Sequence, residues 1–256
     1  MFDNYKVISV TPAGRKKHLE ILKQYLLKNS DIIDEHHFWV NTNNQQDIDY
    51  MNILSKENDF FKVIPCPIKV DGLASIHSFF PSYIDPKTIY IRFDDDICYI
   101  AKDAIKKLLE CRIKNREYLI VYPHIINNFM NTLEHSVIYK LMGKFDYYKD
   151  LKNVALLHDL FISLPEESFY TPSFQSKKGF NINCFCWFGE DFAKFDGKVQ
   201  VAEEHWISEL APSFYGKQNY VCGDAIVVHY AYLTQREYLD SLNYLEKYKN
   251  ILLTNF

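Results

Sequence analysis

The stretch Thr88-Ile89-Tyr90-Ile91-Arg92-Phe93-Asp94-Asp95-Asp96-Ile97-Cys98 constrains this chain more than any other. An apolar, β-branched run of this kind forms a buried strand. It ends in three consecutive carboxylates, and a second apolar run, Ile97 to Ile100, follows at once. Adjacent negative charges repel one another and are costly to desolvate. Either they stay solvated as an acidic turn, or a cation joins them. Mg²⁺ and Mn²⁺ take oxygen ligands from one or two carboxylates and fill their remaining positions with water and phosphate oxygens. The tight apolar flanks favour the second reading, a metal–diphosphate site at the carboxyl end of a central strand.

The residues before and after this strand alternate between strand and helix patterns. Strands are predicted at Lys6 to Val10, His37 to Asn41, Phe61 to Ile64 and Tyr118 to Tyr122, with the aspartate strand fourth among them. Between them come a turn at Thr11 to Arg15 and helices over Lys16 to Lys28, Asp47 to Lys56, Leu73 to Phe80 and Lys102 to Asn115. Strands alternating with helices predict a mostly parallel sheet covered on both faces, which binds ligands beyond the carboxyl ends of its strands. Gly14-Arg15, Asn41-Thr42 and Asp94 to Asp96 then share one rim. Residues 127 to 180 read as irregular, as acceptor-side insertions and a mobile loop. Beyond them, strands are predicted at Asn183 to Phe188 and Ala225 to Tyr230, a short helix from Val201 to Trp206, and a C-terminal helix over Gln235 to Lys249. No internal repeat or linker divides the chain, so one domain is expected over its 256 residues.

A net charge of −4 argues against a broad surface for nucleic acid. The aromatic content of 16% suits platforms for ring-shaped ligands, but an AT-rich genome that favours Tyr, Phe, Asn, Ile and Lys codons is the simpler cause. The six cysteines form no Cys-x-x-Cys pair and no zinc spacing, which favours a reducing, cytoplasmic setting. No signal peptide and no transmembrane run is read from the sequence.

Four features, taken in order, resemble a nucleotide-sugar-dependent glycosyltransferase of the GT-A fold. They are a first strand ending near Gly14-Arg15, an Asp-x-Asp motif at Asp94-Asp95-Asp96, the acidic pair of Glu203-Glu204-His205-Trp206, and His229 on a late strand. The likeness spans about Tyr5 to Arg236 and is nearest to small single-domain enzymes of large DNA viruses and bacteria that build surface glycans. It implies a Rossmann-like α/β fold. Residues 1–126 would bind the nucleotide sugar, and 127–256 would be an irregular acceptor-binding half. It implies Mn²⁺ or Mg²⁺ held by Asp94, Asp96 and His229. The donor would be a UDP-sugar, the acceptor a glycan or glycoconjugate hydroxyl, and the transfer inverting. Thr11, Gly14, Arg15, Asn41, Thr42, Asp71, Arg92, Asp94 and Asp95 would surround the donor. Glu203 or Glu204 would deprotonate the acceptor, with Asp191 an alternative base or a ligand of the donor sugar. The second strand ends in Asn41-Thr42 where many such enzymes place an aspartate to read uracil, which leaves the base open. A metal-dependent nucleotidyltransferase, a carbohydrate-binding protein of the same fold and a glycosidase are the competing functions. The first usually needs a basic, Gly-rich phosphate loop, for which Thr11 to Arg15 is a poor match.

Overall fold

The computed structural model describes residues 1–127, 142, 149–176 and 181–254. Its nine strands are β1 (Lys6–Ala13), β2 (Glu35–Val40), β3 (Phe61–Ile64), β4 (Thr88–Phe93), β5 (Ile97–Ile100), β6 (Val121–Ile126), β7 (Phe174–Ser176), β8 (Cys184–Phe188) and β9 (Asn219–His229). They form one sheet in the order β3-β2-β1-β4-β8-β6-β9-β5, with β7 on β9. The first four strands of that order are parallel. β8 runs antiparallel to both β4 and β6, and β9 is parallel to β6. β5 and β7 oppose β9. Six of the described strands therefore share one direction and three run against it, so the sheet is mostly parallel, as expected.

Helices α1 (Lys16–Lys28), α2 (Gln45–Glu57) and α3 (Ala104–Lys114) are amphipathic connections, and α1 buries Leu19, Leu22 and Leu26. Both faces of the sheet carry a core. On one, Leu19, Leu22, Ile105 and Leu108 pack against Val7, Ile89 and Ile91. On the other, Ile76, Phe79, Trp206 and Ile207 pack against Val10, Tyr90 and Trp187.

Several boundaries differ from the sequence reading. β1 continues through Thr11-Pro12-Ala13 because β2 pairs with it as far as Ala13↔Val40. Its ladder with β4 stops at Val10↔Arg92, so the donor missing from Pro12 faces a side with no further ladder. β6 starts at Val121 rather than Tyr118. The buried Arg112 guanidinium donates to the carbonyls of Asn115, Tyr118 and Leu119 and holds that stretch as a turn. Within 127 to 180, expected to be irregular, Leu151–Ser163 is a helix, capped where Asp150 accepts from the Asn153 N–H. The expected mobile loop falls largely on 128–141, 143–148 and 177–180, outside the described residues. The C-terminal helix is two, Leu233–Ser241 and Tyr244–Thr254, broken at Asn243, whose φ is +57°.

The turn at Asp94 to Asp96 sets the shape of the rim. Phe93 and Ile97 can lie at most about 14 Å apart. Four inter-strand steps from β4 to β5 would need about 19 Å in a flat sheet. The β9–β5 end must curl back, and this carries His229, paired with Ile97, beside the aspartates.

Candidate active site

The topology delivers the rim. β1, β2, β4, β6 and β9 end there at Gly14, Asn41, Asp94, Asn127 and His229, and β8, running the other way, begins there at Cys184. Among the described residues, ligand atoms of Asp94, Asp96 and His229 all lie within 4.8 Å of one another. Asp96 and His229 are nearly completely buried, and Asp94 is partly exposed.

Each of the three is held in place. Asp94 accepts from Arg92 at 2.9 Å and from Asn183 Nδ2 at 3.0 Å, while its own N–H donates to the Asn183 carbonyl at 2.7 Å. His229 Nδ1 lies 3.3 Å from the Asn127 carbonyl. Donation there leaves the Nε2 lone pair facing Asp96 Oδ1 at 3.4 Å. That Oδ1 is buried and, among the described residues, accepts no hydrogen bond. An unsatisfied carboxylate oxygen, an imidazole nitrogen and a second carboxylate form a donor set that suits a divalent cation. Burial opposes the charge of Asp96, but Arg15 and His229 outweigh it and hold the carboxyl below its ordinary range. Burial likewise opposes charge on His229, and Asp96 and Asp94 overcome it to raise that pKa. A cation bound here would displace the imidazole proton.

The middle aspartate has another task. Asp95 accepts from the Gly14 N–H at 3.1 Å and from Arg15 through both Nε, at 2.9 Å, and Nη2. It ties β1 to β4 and is spent as a donor-binding group. Space at Gly14 is also tight, since a Cβ there would sit 3.1 Å from Thr42 Cβ and 3.3 Å from the Asn41 carbonyl oxygen, so a side chain would require these neighbours to give way by a few tenths of an ångström.

The acidic pair splits. Glu203 turns inward onto Arg92 at 2.9 Å, and Glu204 sits at the open rim, where Asn181 Nδ2 donates to both its oxygens at 3.2 and 3.1 Å. Burial pushes the Glu203 carboxyl up to about 7 despite Arg92, and Asp94 and Glu204 add to the rise. Between its ordinary 4.5 and 7 the folded chain keeps a proton that the unfolded chain releases, so stability falls as pH rises through that window. Glu203→Gln cannot titrate. Unfolding in urea from pH 4 to 8 should show wild type losing roughly 2–3 kcal/mol relative to the variant across that window. Parallel profiles would mean that Glu203 does not titrate there.

Other sequence-predicted residues lie elsewhere or are occupied. Asp191 follows the far end of β8, since Phe188 pairs with Ile89 at the start of β4. It therefore lies at the edge opposite the aspartates, paired with Lys194 and Lys217 at 2.7 Å each, and the structure does not bring it to the site. Arg92 is buried between Asp94 and Glu203, so its charge is answered by two carboxylates and its Nη1 and Nη2 are engaged within the protein. Thr11 is fully buried on the α1 face of β1 and is closed to a ligand. Asn41, Thr42 and Asp71 do gather at the rim. Asn41 Oδ1 accepts from Ser75 Oγ at 2.8 Å, Thr42 Oγ1 accepts from the Asn44 N–H at 3.0 Å, and the Asp71 N–H donates to Ser75 Oγ at 3.1 Å. Sequence reasoning missed Asn127, Asn181, Asn183 and Arg236. The Asn181-x-Asn183 spacing just before a strand is the one local signal that could have found two of them.

No protein-family profile and no curated protein matches the sequence. Solved structures do match. One is GalNAc-T7 with UDP, GalNAc and Mn²⁺, at TM-score 0.56 and 12% identity, covering 97% of this chain and 50% of that one. Another is the mannosyltransferase PcManGT from Pyrobaculum calidifontis in complex with GDP-Man and Mn²⁺, at TM-score 0.59 and 10% identity, covering 93% and 60%. A third is CMP:2-keto-3-deoxy-manno-octonic acid synthetase complexed with CTP, at TM-score 0.51 and 11% identity, covering 94% and 98%. This chain spans only about half to three-fifths of the two glycosyltransferase chains. The fold is the GT-A fold, common to nucleotide-sugar glycosyltransferases and nucleotidyltransferases. At these identities the likeness defines the fold, and the chemistry has to be argued from the residues.

Proposed function

We propose that this chain is a metal-dependent, inverting glycosyltransferase that moves a sugar from a nucleoside diphosphate sugar, with UDP-sugar the first candidate, to a hydroxyl of a glycan or glycoconjugate. The observation that carries the reading is the clustering of Asp94, Asp96 and His229, with Glu204 near enough to Asp94 for that charge to act on it. Residues 1–126 would supply the donor half and 127–256 the acceptor half. Free cysteines fit work in the cytoplasm, and no described helix is long and apolar enough to cross a membrane.

Asp94, Asp96 and His229 would hold Mn²⁺ or Mg²⁺, which when bound supplies Lewis-acid stabilisation of the charge on the departing diphosphate. The chain's own residues do the rest. Asn183 and Arg92 fix the Asp94 carboxylate, and Asn127 fixes the His229 ring. Glu204 accepts the acceptor's hydroxyl proton as that oxygen attacks the anomeric carbon. The carbon–oxygen bond to the diphosphate breaks with its electron pair going to the nucleoside diphosphate. Attack from the face opposite the leaving group inverts the centre, which passes through an oxocarbenium-like state.

The nucleotidyltransferase reading has one point in its favour, the near-complete coverage of the synthetase chain. Against it, the backbone and guanidinium at Gly14-Arg15 are engaged with Asp95. Product analysis separates the two. Incubation with nucleotide sugars and Mn²⁺ should release a nucleoside diphosphate, and EDTA should stop it. Release of pyrophosphate from a nucleoside triphosphate would instead establish the second reading. Thermal shift should identify the donor, since a ligand at a hundred times its Kd raises stability by about 2.7 kcal/mol, with Mn²⁺ required for the shift.

A further inference from the structure

The carboxylates of the cluster are already matched by guanidinium groups. Arg15 takes Asp95, Arg92 takes Asp94 and Glu203, and Asp96 Oδ2 is shared by Arg15 Nη2 at 3.1 Å and Arg236 Nη2 at 3.2 Å. A cation arriving alone at Oδ1 meets carboxylates whose charge is largely answered, and the guanidinium groups already on Asp96 Oδ2 repel it. A cation arriving with a diphosphate brings an anion to which such a guanidinium can turn.

The two candidates for displacement are not equivalent. Arg15 is anchored by its Nε and Nη2 on Asp95, so moving it would undo the tie between β1 and β4. Among the described residues, Arg236 is held by one nitrogen, at 3.2 Å to Asp96 and 3.3 Å to the Ala231 carbonyl, and its buried Nε has no hydrogen-bond partner. Its side chain is 22% exposed, so it borders the open rim. Its root is firm. It sits on the helix Leu233–Ser241, whose start is fixed where Gln235 Oε1 accepts from the Tyr232 N–H and from Asn127 Nδ2, both at 3.0 Å. A fixed root with a loosely held, under-satisfied guanidinium allows the side chain to turn while the backbone stays.

We infer that Arg236 exchanges partners: it neutralises Asp96 when neither cation nor nucleotide is bound, and it passes to the diphosphate oxygens when the two bind together. Its planar fork suits a phosphate as well as it suits a carboxylate. Metal and nucleoside diphosphate then bind cooperatively, each weakly without the other. The inference rests on the nucleotide-sugar reading, and its test keeps the two apart.

UDP, GDP, CDP and ADP are screened with Mn²⁺ on wild type, and the tightest is used for calorimetry. Two constants are then measured for wild type, Arg236→Met and Arg236→Lys: that of Mn²⁺ alone and that of the nucleotide at saturating Mn²⁺. In Arg236→Met, Mn²⁺ alone should bind about tenfold tighter, because a competing cation has gone. The nucleotide should bind about tenfold weaker, because a charge-assisted partner has gone. Arg236→Lys, a point charge without the fork, should fall between. Constants that move in opposite directions are the mark of exchange. Constants that fall together would make Arg236 a structural support for Asp96, and unchanged constants would remove it from the site; either overturns the inference. If Arg236→Met melts below the working temperature, the lysine variant gives both constants. If wild type takes up no nucleoside diphosphate with Mn²⁺, the nucleotide-sugar reading fails first and the exchange falls with it.

Discussion

Asp96→Asn should abolish metal-dependent nucleotide binding, and Asp95→Asn should not. The two carboxylates are adjacent and equally buried, so composition and burial cannot separate them. Their partners do. Asp95 is saturated by Gly14 and Arg15, whereas Asp96 directs an unsatisfied Oδ1 toward His229 and the space next to Asp94. An asparagine at 96 removes one negative charge and one oxygen ligand. Loss of a direct ligand should exceed the 10–100-fold typical of outer partners, so calorimetry of the nucleoside diphosphate with Mn²⁺ should show affinity falling more than about 100-fold. The variant should also be less stable, by about 2 kcal/mol, because Arg15, Arg236 and His229 lose a shared charged acceptor. Asp95→Asn should show the reverse pattern, lowered stability with the metal dependence of binding retained. Wild-type affinity for Mn²⁺ and nucleotide in Asp96→Asn would sink the metal-site assignment.

The first half of the fold was legible because each connection is short and each element carries its own period. α1 and β3 fall at their predicted residues, and the aspartate strand ends where the carboxylates begin. What could not be read locally was decided by distant partners. Thr11 to Ala13 are strand because β2 reaches them. The turn before β6 is set by Arg112, an arginine inside a helix that gives no local sign of where it bonds. The same limit applies to the site. Asp94, Asp96 and His229 could be nominated from residue type and order, as resemblance suggested. That Asp95 serves the β1–β4 junction, that Asn183 holds Asp94 and that Arg236 holds Asp96 depend on the β8 reversal and the curl of β5 onto β9. Asp191 lies away from the rim for the same reason. Its sequence distance from Phe188 is short, but β8 runs away from the rim, and antiparallel direction is invisible in a strand's own pattern.

Glu204→Gln should remove turnover and leave donor binding in place. Neighbouring residues on a helix point about 100° apart, so only one of the acidic pair can face an acceptor. Glu203 is 7% exposed and ion-paired to Arg92. Glu204 is exposed at the rim, and a base must be within hydrogen-bond reach of the proton it takes. Glutamine preserves size and can still accept from Asn181, so what is lost is the carboxylate's basicity. The rate of sugar transfer should fall by about 10²–10⁴. Donor affinity should hold, and so should the Mn²⁺ requirement. Although the residue is exposed, the protein around its carboxyl removes enough water to raise it above its ordinary range, with Asn181 acting against and the nearby Asp94 adding to the rise. A base must be ionised to act, so the wild-type rate should fall as pH drops through that raised value, and Glu204→Gln should lose this limb. Glu203→Gln should keep the limb and lose less than about tenfold in rate, because it acts only through the Arg92 contact with Asp94. Rate profiles against pH for both variants, with donor affinities by calorimetry, decide between them. Equal and mild losses in the two would move the base off this helix altogether.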